Sequence, residues 1–146
     1  MLDIQTNYSL KQLNTFDFDV KAKYYVAPKT EDEILEIINN EELKALPQFI
    51  LGGGSNVLFT GDFDGLIIHP QIKGIEKIDE DENHVWLLAG AGVVWDVFVA
   101  YCVKNNWGGV ENLSLIPGNV GAVPVQNVGA YGVDAKMVID EVYGLY

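Results

Sequence analysis

Apolar and β-branched residues occur in short runs along the first half of the chain, separated by polar or glycine-containing segments. The runs at 21–27, 48–51 and 66–69 each stop just before a proline or a glycine, which predicts strands that end in turns. Residues 57–59 predict a brief extended piece. With one helix between the first two runs, the chain through Pro70 is expected to form a β-α-β unit with extra strands.

That helix has both a start signal and a stop signal. Thr30 and Glu33 have the spacing of a capping box, and the acidic residues between them favour the positive end of the helix dipole. The pair Asn39-Asn40 predicts the end. Apolar residues with helical spacing predict one apolar face, made of Ile34, Leu35, Ile37 and Ile38.

The second half of the chain predicts a strand at 85–89 and a helix over 94–105 that stops at Gly108-Gly109. The acidic run at 79–82 is interpreted as a solvated hairpin tip. Residues 142–146 are interpreted as the beginning of a further strand. The helix is predicted from apolar residues at helical spacing: Val94, Val97, Phe98, Tyr101 and Cys102.

Charge and cysteine content exclude several classes of function. The nine cations are all lysines, and 21 acidic residues bring the formal net charge to −12, which repels nucleic acids and anionic lipid surfaces. The N-terminus has no targeting pattern and no segment is apolar enough to span a membrane, so a cytoplasmic location is expected. Cys102 is interpreted as an inert buried thiol, and His69 and His84 as surface residues at strand ends, so no metal is expected.

The segment Leu51-Gly-Gly-Gly-Ser-Asn56 is the first candidate site. Glycine allows a close approach of the backbone to a ligand, so its N–H groups could converge on a phosphate, with contacts added by Ser55 and Asn56. The segment is not a Walker loop, since no Gly-Lys-Ser/Thr follows, and it lacks the third glycine of a dinucleotide-binding fingerprint. A tight turn between two strands is the alternative.

The second candidate site lies within residues 110–132, where glycine, proline, apolar and amide residues replace charged ones. Such a segment suits a flat ligand, because glycines permit close approach and Gln126 and Asn127 can bond heteroatoms at the ligand's edge. A buried loop whose amides satisfy its own backbone is the alternative. Gly90-Ala-Gly92 is interpreted as a strand-to-helix turn, and Asn14-Thr15-Phe16 as an ordinary turn.

Six motifs, in this order and spacing, resemble the UDP-N-acetylenolpyruvoylglucosamine reductases over nearly the whole chain. They are Asn14-Thr-Phe16, Leu51-Gly-Gly-Gly-Ser-Asn56, Gly90-Ala-Gly92, Glu111-Asn-Leu113, Ile116-Pro-Gly-Asn-Val-Gly121 and Pro124-Val-Gln-Asn-Val-Gly-Ala-Tyr-Gly132.

The resemblance implies an α+β fold, the two-lobed FAD-binding domain shared with p-cresol methylhydroxylase and vanillyl alcohol oxidase. The first lobe is expected at 1–72 and the second at 73–146, incomplete at its C-terminus and without the family's substrate-binding domain.

The resemblance also implies a set of FAD-binding residues. The triple-glycine segment would hold the pyrophosphate, the second segment would lie along the isoalloxazine and ribityl parts, and Tyr131 would form a pocket wall. Ser55 stands where covalent relatives often carry histidine, so the FAD is expected to be non-covalent. The full set is Gly52, Gly53, Gly54, Ser55, Asn56, Ile116, Pro117, Gly118, Val120, Gly121, Ala122, Gln126, Asn127, Gly129 and Tyr131.

The implied reaction is the NADPH-dependent reduction of UDP-N-acetylglucosamine enolpyruvate to UDP-N-acetylmuramate, a step in peptidoglycan precursor synthesis. The family uses an arginine, a serine and a glutamate for it. This chain has no arginine, and the resemblance puts all three groups beyond Tyr146, so no residue here is assigned a catalytic role and the chain alone is expected to be inactive. There are two alternatives. The chain could belong to another flavin-dependent oxidase or dehydrogenase of the same superfamily, or it could be a non-catalytic flavin-binding module.

Overall fold

The chain forms two units, each with a hydrophobic core of its own. In the computed structural model, which describes residues 2–146, the first unit is Met1–Ile72 together with Gly144–Tyr146, and the second is Lys73–Tyr143. Within residues 2–146 no helix combines the length and the hydrophobicity needed to cross a membrane; the longest has 10 residues.

The first unit is built on a sheet of four strands. They are β1 (Gln5–Ser9), β2 (Lys21–Val26), β3 (Gln48–Ile50) and β4 (Phe63–Ile68), in the order β1-β2-β4-β3. β2, β4 and β3 are parallel, whereas β1 is antiparallel to β2. The three strands predicted here are confirmed.

Two features of this sheet differ from the prediction. β1 was not expected, because the polar sequence Gln-Thr-Asn-Tyr-Ser has little apolar alternation; it joins the sheet as an edge strand by backbone pairing with β2. Residues 57–59 belong to no strand. Val57 and Phe59 pack instead against the core cluster that contains Leu10 and Ile67.

Helix α1 (Glu31–Ile38) follows β2 and begins where predicted. The Glu33 N–H donates to the Thr30 hydroxyl at 3.2 Å, while the Glu33 carboxylate accepts from the N–H of Lys29, one residue before the position a capping box requires. Asn39 caps the C-terminus of α1. Asn40 caps the N-terminus of a second short helix, α2 (Glu41–Lys44), which was not predicted.

Strand β4 is the centre of the first unit. Leu66 and Ile68 pack with Ile37 of α1 and Leu43 of α2, and Ile67 packs on the opposite face. A strand covered on both faces is typically a continuous apolar run, as Leu-Ile-Ile is here. The opposite face of the sheet carries the cluster Leu10, Ala22, Tyr25, Leu51 and Ile67.

The second unit begins with an antiparallel hairpin, β5 (Ile75–Glu80) and β6 (Val85–Ala89). The acidic run straddles the end of β5 and the turn, where the Asp81 carboxylate accepts from the N–H groups of Asn83 and His84 at 2.7 and 2.6 Å. These bonds hold the pKa of Asp81 below its usual value.

Helix α3 (Trp95–Lys104) confirms the predicted range of 94–105 to within one residue at each end, but the residue that stops it is not the one expected. Asn105 is its C-cap and Asn106 adopts a left-handed backbone with φ of 60°, so the chain turns before Gly108-Gly109. Asparagine adopts this conformation more readily than most residues with a Cβ. The chain therefore leaves the helix at Asn105 and Asn106, and the prediction that Gly108-Gly109 stops it is wrong. The side chains of α3 that reach the core are Trp95, Val99 and Cys102, whereas Val97 is 58% exposed.

The end of the second unit contains a short helix, α4 (Val123–Gln126), and a small hairpin of β7 (Gly129–Ala130) and β8 (Val133–Asp134). Tyr131 and Gly132 both have positive φ in the turn between these strands. Residues 139–146 form neither helix nor strand, so the strand predicted at 142–146 is wrong. Val142 and Tyr143 are 65% and 75% exposed, and neither pairs with a strand within residues 2–146.

Candidate functional site

The triple-glycine loop lies directly after β3, at the carboxyl end of the three parallel strands. The Leu51 N–H donates to the Ile68 carbonyl at 2.8 Å, which continues the pairing with β4 for one residue before the loop starts. In open sheets with parallel strands, ligands bind preferentially at this edge. The chain therefore brings Gly52, Gly53, Gly54, Ser55 and Asn56 to a position suited to binding.

Gly54 anchors this loop. It is buried with φ of +65°, and a Cβ added there would lie 1.9 Å from the carbonyl oxygen of Leu13. Only glycine fits both the conformation and the space. Gly53 and Asn56 are exposed, and no acidic side chain occurs from Leu51 to Thr60 in a strongly acidic protein. The loop is thus fixed at Gly54, while Gly53 and Asn56 are exposed to solvent.

Asn14 fixes the backbone of the segment that lies against Gly54. It is 5% exposed, and its amide group donates to the carbonyls of Leu10 and Phe18 at 2.8 and 3.1 Å while its oxygen accepts from the Phe18 N–H at 3.1 Å. The neighbouring Thr15 N–H donates to the Gly54 carbonyl at 3.2 Å. Residues 14–16 are therefore more than the ordinary turn first inferred. Nothing in the local sequence pattern indicates that role.

The second segment is held against the turn between β6 and α3 by its backbone. The Trp95 N–H donates to the Gly118 carbonyl at 2.9 Å, and Val120 and Gly121 donate to the carbonyls of Val93 and Ala91 at 2.8 and 3.0 Å. A Cβ on Gly121 would lie 2.7 Å from the Cβ of Ala91. Residues 118–121 are therefore held against 91–95 by these backbone bonds around one antiparallel bridge, Val94 to Asn119, and the glycine permits the contact.

A shallow surface hollow lies beside this segment, and it has no enclosed space even for one water molecule. Five of its lining residues are among the predicted site residues. The lining consists of Trp95, Ile116, Pro117, Gly118, Asn119, Ala122, Val123, Gln126 and Val128.

Gln126 and Asn127, predicted to act together, lie at different hollows. Asn127 has a left-handed backbone at the end of α4 and lines a second hollow of about 190 Å³. A Cβ added to Gly129 would lie 2.4 Å from an oxygen of the Asp134 carboxylate, so there is no room for a side chain at this position. Tyr131, expected as a pocket wall, is 89% exposed in the β7–β8 turn and lines neither hollow.

Two residues that the sequence did not single out fix the start of the second segment. The Trp95 indole N–H donates to the Leu113 carbonyl at 2.8 Å. One carboxylate oxygen of Asp96, Oδ1, accepts from the Leu115 N–H at 2.7 Å and the Ser114 hydroxyl at 2.8 Å. These two bonds, the backbone one first, hold the pKa of Asp96 below its usual value.

The histidines and the cysteine do not form a metal centre. In residues 2–146 no group of three or more His, Cys, Asp or Glu side chains could hold a metal ion. His69 is half-buried, with its ring nitrogens 2.8 Å from the Tyr25 hydroxyl and from the Gln71 amide, so it is not the surface histidine expected. Cys102 is buried as predicted, and burial raises the pKa of its thiol.

The chain belongs to the FAD-binding domain family, whose model matches residues 22–145. The match includes both glycine-rich segments, the strands β3 to β8 and all but the first residue of β2. The FAD-binding fold expected from the sequence is confirmed.

Among curated proteins the chain is similar to UDP-N-acetylenolpyruvoylglucosamine reductases, which confirms the family resemblance inferred from the motifs. It is 49% identical to that of Amoebophilus asiaticus over 144 residues, 99% of this chain and 42% of the relative. It is 50% identical to that of Flavobacterium johnsoniae over 135 residues, 92% of this chain and 40% of the relative. The chain thus spans about two fifths of the length of these relatives.

A solved structure, the UDP-N-acetylenolpyruvylglucosamine reductase of Thermus caldophilus, has a similar fold. The TM-score is 0.65 at 21% sequence identity, over 92% of this chain and 45% of the other.

Proposed function

We propose that this chain is the FAD-binding part of an NADPH-dependent reductase that converts UDP-N-acetylglucosamine enolpyruvate to UDP-N-acetylmuramate. The observation that carries the proposal is the triple-glycine loop, which is anchored through Gly54 and leaves Gly53 open at the carboxyl edge of the parallel strands. Family membership and the similarity to the reductases support the identity of the ligand and of the reaction.

In this proposal Gly52, Gly53, Gly54, Ser55 and Asn56 hold the diphosphate of FAD. Backbone N–H groups and the side chains of Ser55 and Asn56 supply the hydrogen bonds, and no lysine lies within the loop. A diphosphate can be bound in this way because convergent N–H groups stabilise anionic oxygens without a cationic side chain. The absence of acidic residues from 51 to 60 supports the assignment, because a carboxylate there would repel the ligand.

The second segment is proposed to hold the flavin end. Ile116, Pro117, Gly118 and Ala122 give an apolar wall, and Gln126 offers an amide to a heteroatom at the ring edge. Val120, Gly121, Asn127, Gly129 and Tyr131 complete the proposed set. Of these, Gly121 acts indirectly, because its lack of a Cβ lets the segment pack closely against Ala91.

When bound, FAD would supply the hydride-transfer chemistry between NADPH and the substrate. The residues of this chain bind and orient the flavin, and none of them is assigned a proton transfer. We propose that the FAD is held without a covalent bond, since Ser55 follows the glycines where covalent relatives often carry a histidine.

The proposal extends to the fold type and the location. The two units, each with its own core, fit the two lobes of the p-cresol methylhydroxylase and vanillyl alcohol oxidase type of FAD-binding domain, with 1–72 and 73–146 as the lobes. A cytoplasmic location fits the unpaired buried thiol of Cys102.

An FAD titration of the purified chain, followed by the quenching of flavin fluorescence, tests the binding proposal. Wild type should bind saturably and Gly53→Asp should weaken binding by about 10-fold or more, since a carboxylate would then face the diphosphate. Gly61→Asp is the matched control: Gly61 is exposed, lies outside the loop and has no heavy atom within 4 Å of an added Cβ. Equal affinity of the two variants would contradict the assignment of the loop.

A chimera tests the reductase proposal. The matching 135 residues of the Flavobacterium johnsoniae relative are replaced by those of this chain, and substrate-dependent NADPH oxidation is measured. The chimera should retain activity, and the same chimera with Gly53→Asp should lose it. A folded, FAD-loaded chimera that does not reduce the substrate would overturn the reductase assignment and leave FAD binding intact.

A further inference from the structure

We propose that Asp96 is a positioning residue for the flavin-binding segment: its carboxylate holds Leu115 in the left-handed conformation from which residues 116–121 continue. The inference rests on the proposed function, since the segment being positioned is the one assigned to the flavin.

The contact is short and specific. A single oxygen of Asp96 accepts both the Leu115 N–H at 2.7 Å and the Ser114 hydroxyl at 2.8 Å. Hydrogen bonds to an ionised acceptor are shorter and stronger than those between neutral groups. Because Asp96 is the second residue of α3, the positive end of the helix dipole also favours its charged form.

Leu115 needs such a partner. Its φ is +63°, a conformation that costs free energy in any residue with a Cβ. Its side chain is 84% exposed, so burial of apolar surface does not offset that cost. The bond to Asp96 is therefore the contact that stabilises the conformation locally.

The residue before Asp96 in α3 also bonds this part of the chain. Trp95 bonds the Leu113 carbonyl through its indole and the Gly118 carbonyl through its backbone, on either side of Leu115. The first turn of α3 thus holds residues 113, 114, 115 and 118 together. A segment fixed in this way is pre-organised, and less conformational entropy is lost when a ligand binds it.

Three variants separate positioning by Asp96 from a general effect on the fold. Asp96→Asn keeps an oxygen that can accept both bonds, whereas Asp96→Ala removes it. The double variant Asp96→Ala/Leu115→Gly removes the acceptor but also relieves the strain, because glycine adopts positive φ freely. FAD affinity should weaken by about 10-fold in Asp96→Ala and return to within about 3-fold of wild type in the other two.

The exchange of the Leu115 amide proton with solvent, followed by NMR, is a readout that does not require FAD. It should be slow in wild type and in Asp96→Asn and fast in Asp96→Ala. If wild type does not bind FAD, the proposed function fails, while this exchange rate still tests the positioning role.

Equal protection of the Leu115 amide in wild type and Asp96→Ala would overturn the inference. So would a double variant that binds FAD as weakly as Asp96→Ala. If Asp96→Ala does not fold, recovery of folding in the double variant supports the inference, and failure of both to fold contradicts it.

Discussion

Replacing Gly54 by alanine probes the contact on which the triple-glycine loop depends. The new Cβ would lie 1.9 Å from the Leu13 carbonyl oxygen, 2.8 Å from its carbonyl carbon and 3.0 Å from the Asn14 Cα, all of them backbone atoms. Ordinary van der Waals contact begins near 3.4 Å. The loop and the 13–14 backbone therefore have to move apart by more than an ångström.

Three effects contribute to the cost. A residue with a Cβ at φ of +65° costs about 1–2 kcal/mol. Overpacking against backbone costs about 1–3 kcal/mol. The displacement also lengthens the bond from the Thr15 N–H to the Gly54 carbonyl, which is worth about 1 kcal/mol. We expect Gly54→Ala to lower the free energy of unfolding by about 3–6 kcal/mol, a large share of a typical domain's stability.

Two other glycines of the first unit serve as matched controls in urea denaturation followed by circular dichroism. Gly65→Ala meets the Pro47 carbonyl oxygen at 2.3 Å without a positive φ, so it should lose only the overpacking contribution. Gly61→Ala has open space and should stay within about 0.5 kcal/mol of wild type. If Gly54→Ala is as stable as Gly61→Ala, the loop is not held by Gly54 and the reasoning is refuted.

Three further results are expected. Gly121→Ala should destabilise the chain by about 1–3 kcal/mol in the same assay, and Ala91→Gly should recover part of that loss; no recovery would contradict the close approach of the two residues. Cys102 should react with a thiol reagent at mildly alkaline pH only after unfolding, because burial both raises its pKa and blocks access; fast reaction of the folded chain would show that it is exposed. Burial, with a smaller contribution from Tyr8, raises the pKa of Tyr25 from 10.0 to about 12, so the unfolded chain ionises first and stability should fall as pH rises through that window. Tyr25→Phe should lose less stability there than wild type, and equal losses would exclude Tyr25 as the cause.

The parts of the fold that the sequence predicted are those governed by local signals. Thr30 and Glu33 predict the start of α1 because a cap is formed within one turn, and Leu66 to Ile68 predict a buried strand because both faces are covered. β1 was missed, since its polar residues join the sheet only through backbone pairing with a distant strand. The end of α3 was predicted to within one residue, but the stop signal was not, because Asn106 takes the left-handed role usually given to glycine.

In the candidate site, too, some features could be predicted from the sequence and others could not. The glycine-rich segments were predicted to be places where the backbone closely approaches a ligand. Gly54 and Gly121 do make close approaches, but the contacts shown are with Leu13 and Ala91 of the chain itself. Asn14 was noted only as part of a motif, without a role, and Asp96 was not singled out. The side chain of Asn14 bonds Leu10 and Phe18, its neighbours four residues away on either side, whereas only the tertiary fold brings Leu115 to Asp96. Tyr131 was expected at a pocket because of its motif, whereas the tight β7–β8 turn directs it to solvent.

The central proposal assigns the diphosphate of FAD to the triple-glycine loop and the flavin to the segment at residues 116–126. The most direct test records backbone amide NMR shifts of the chain while it is titrated separately with ADP and with FMN. ADP is expected to shift the amides of Gly52 to Asn56, and FMN those of Ile116 to Ala122 and Gln126. If saturating ligand leaves both segments unshifted, or shifts amides elsewhere in the folded chain, the claim is wrong.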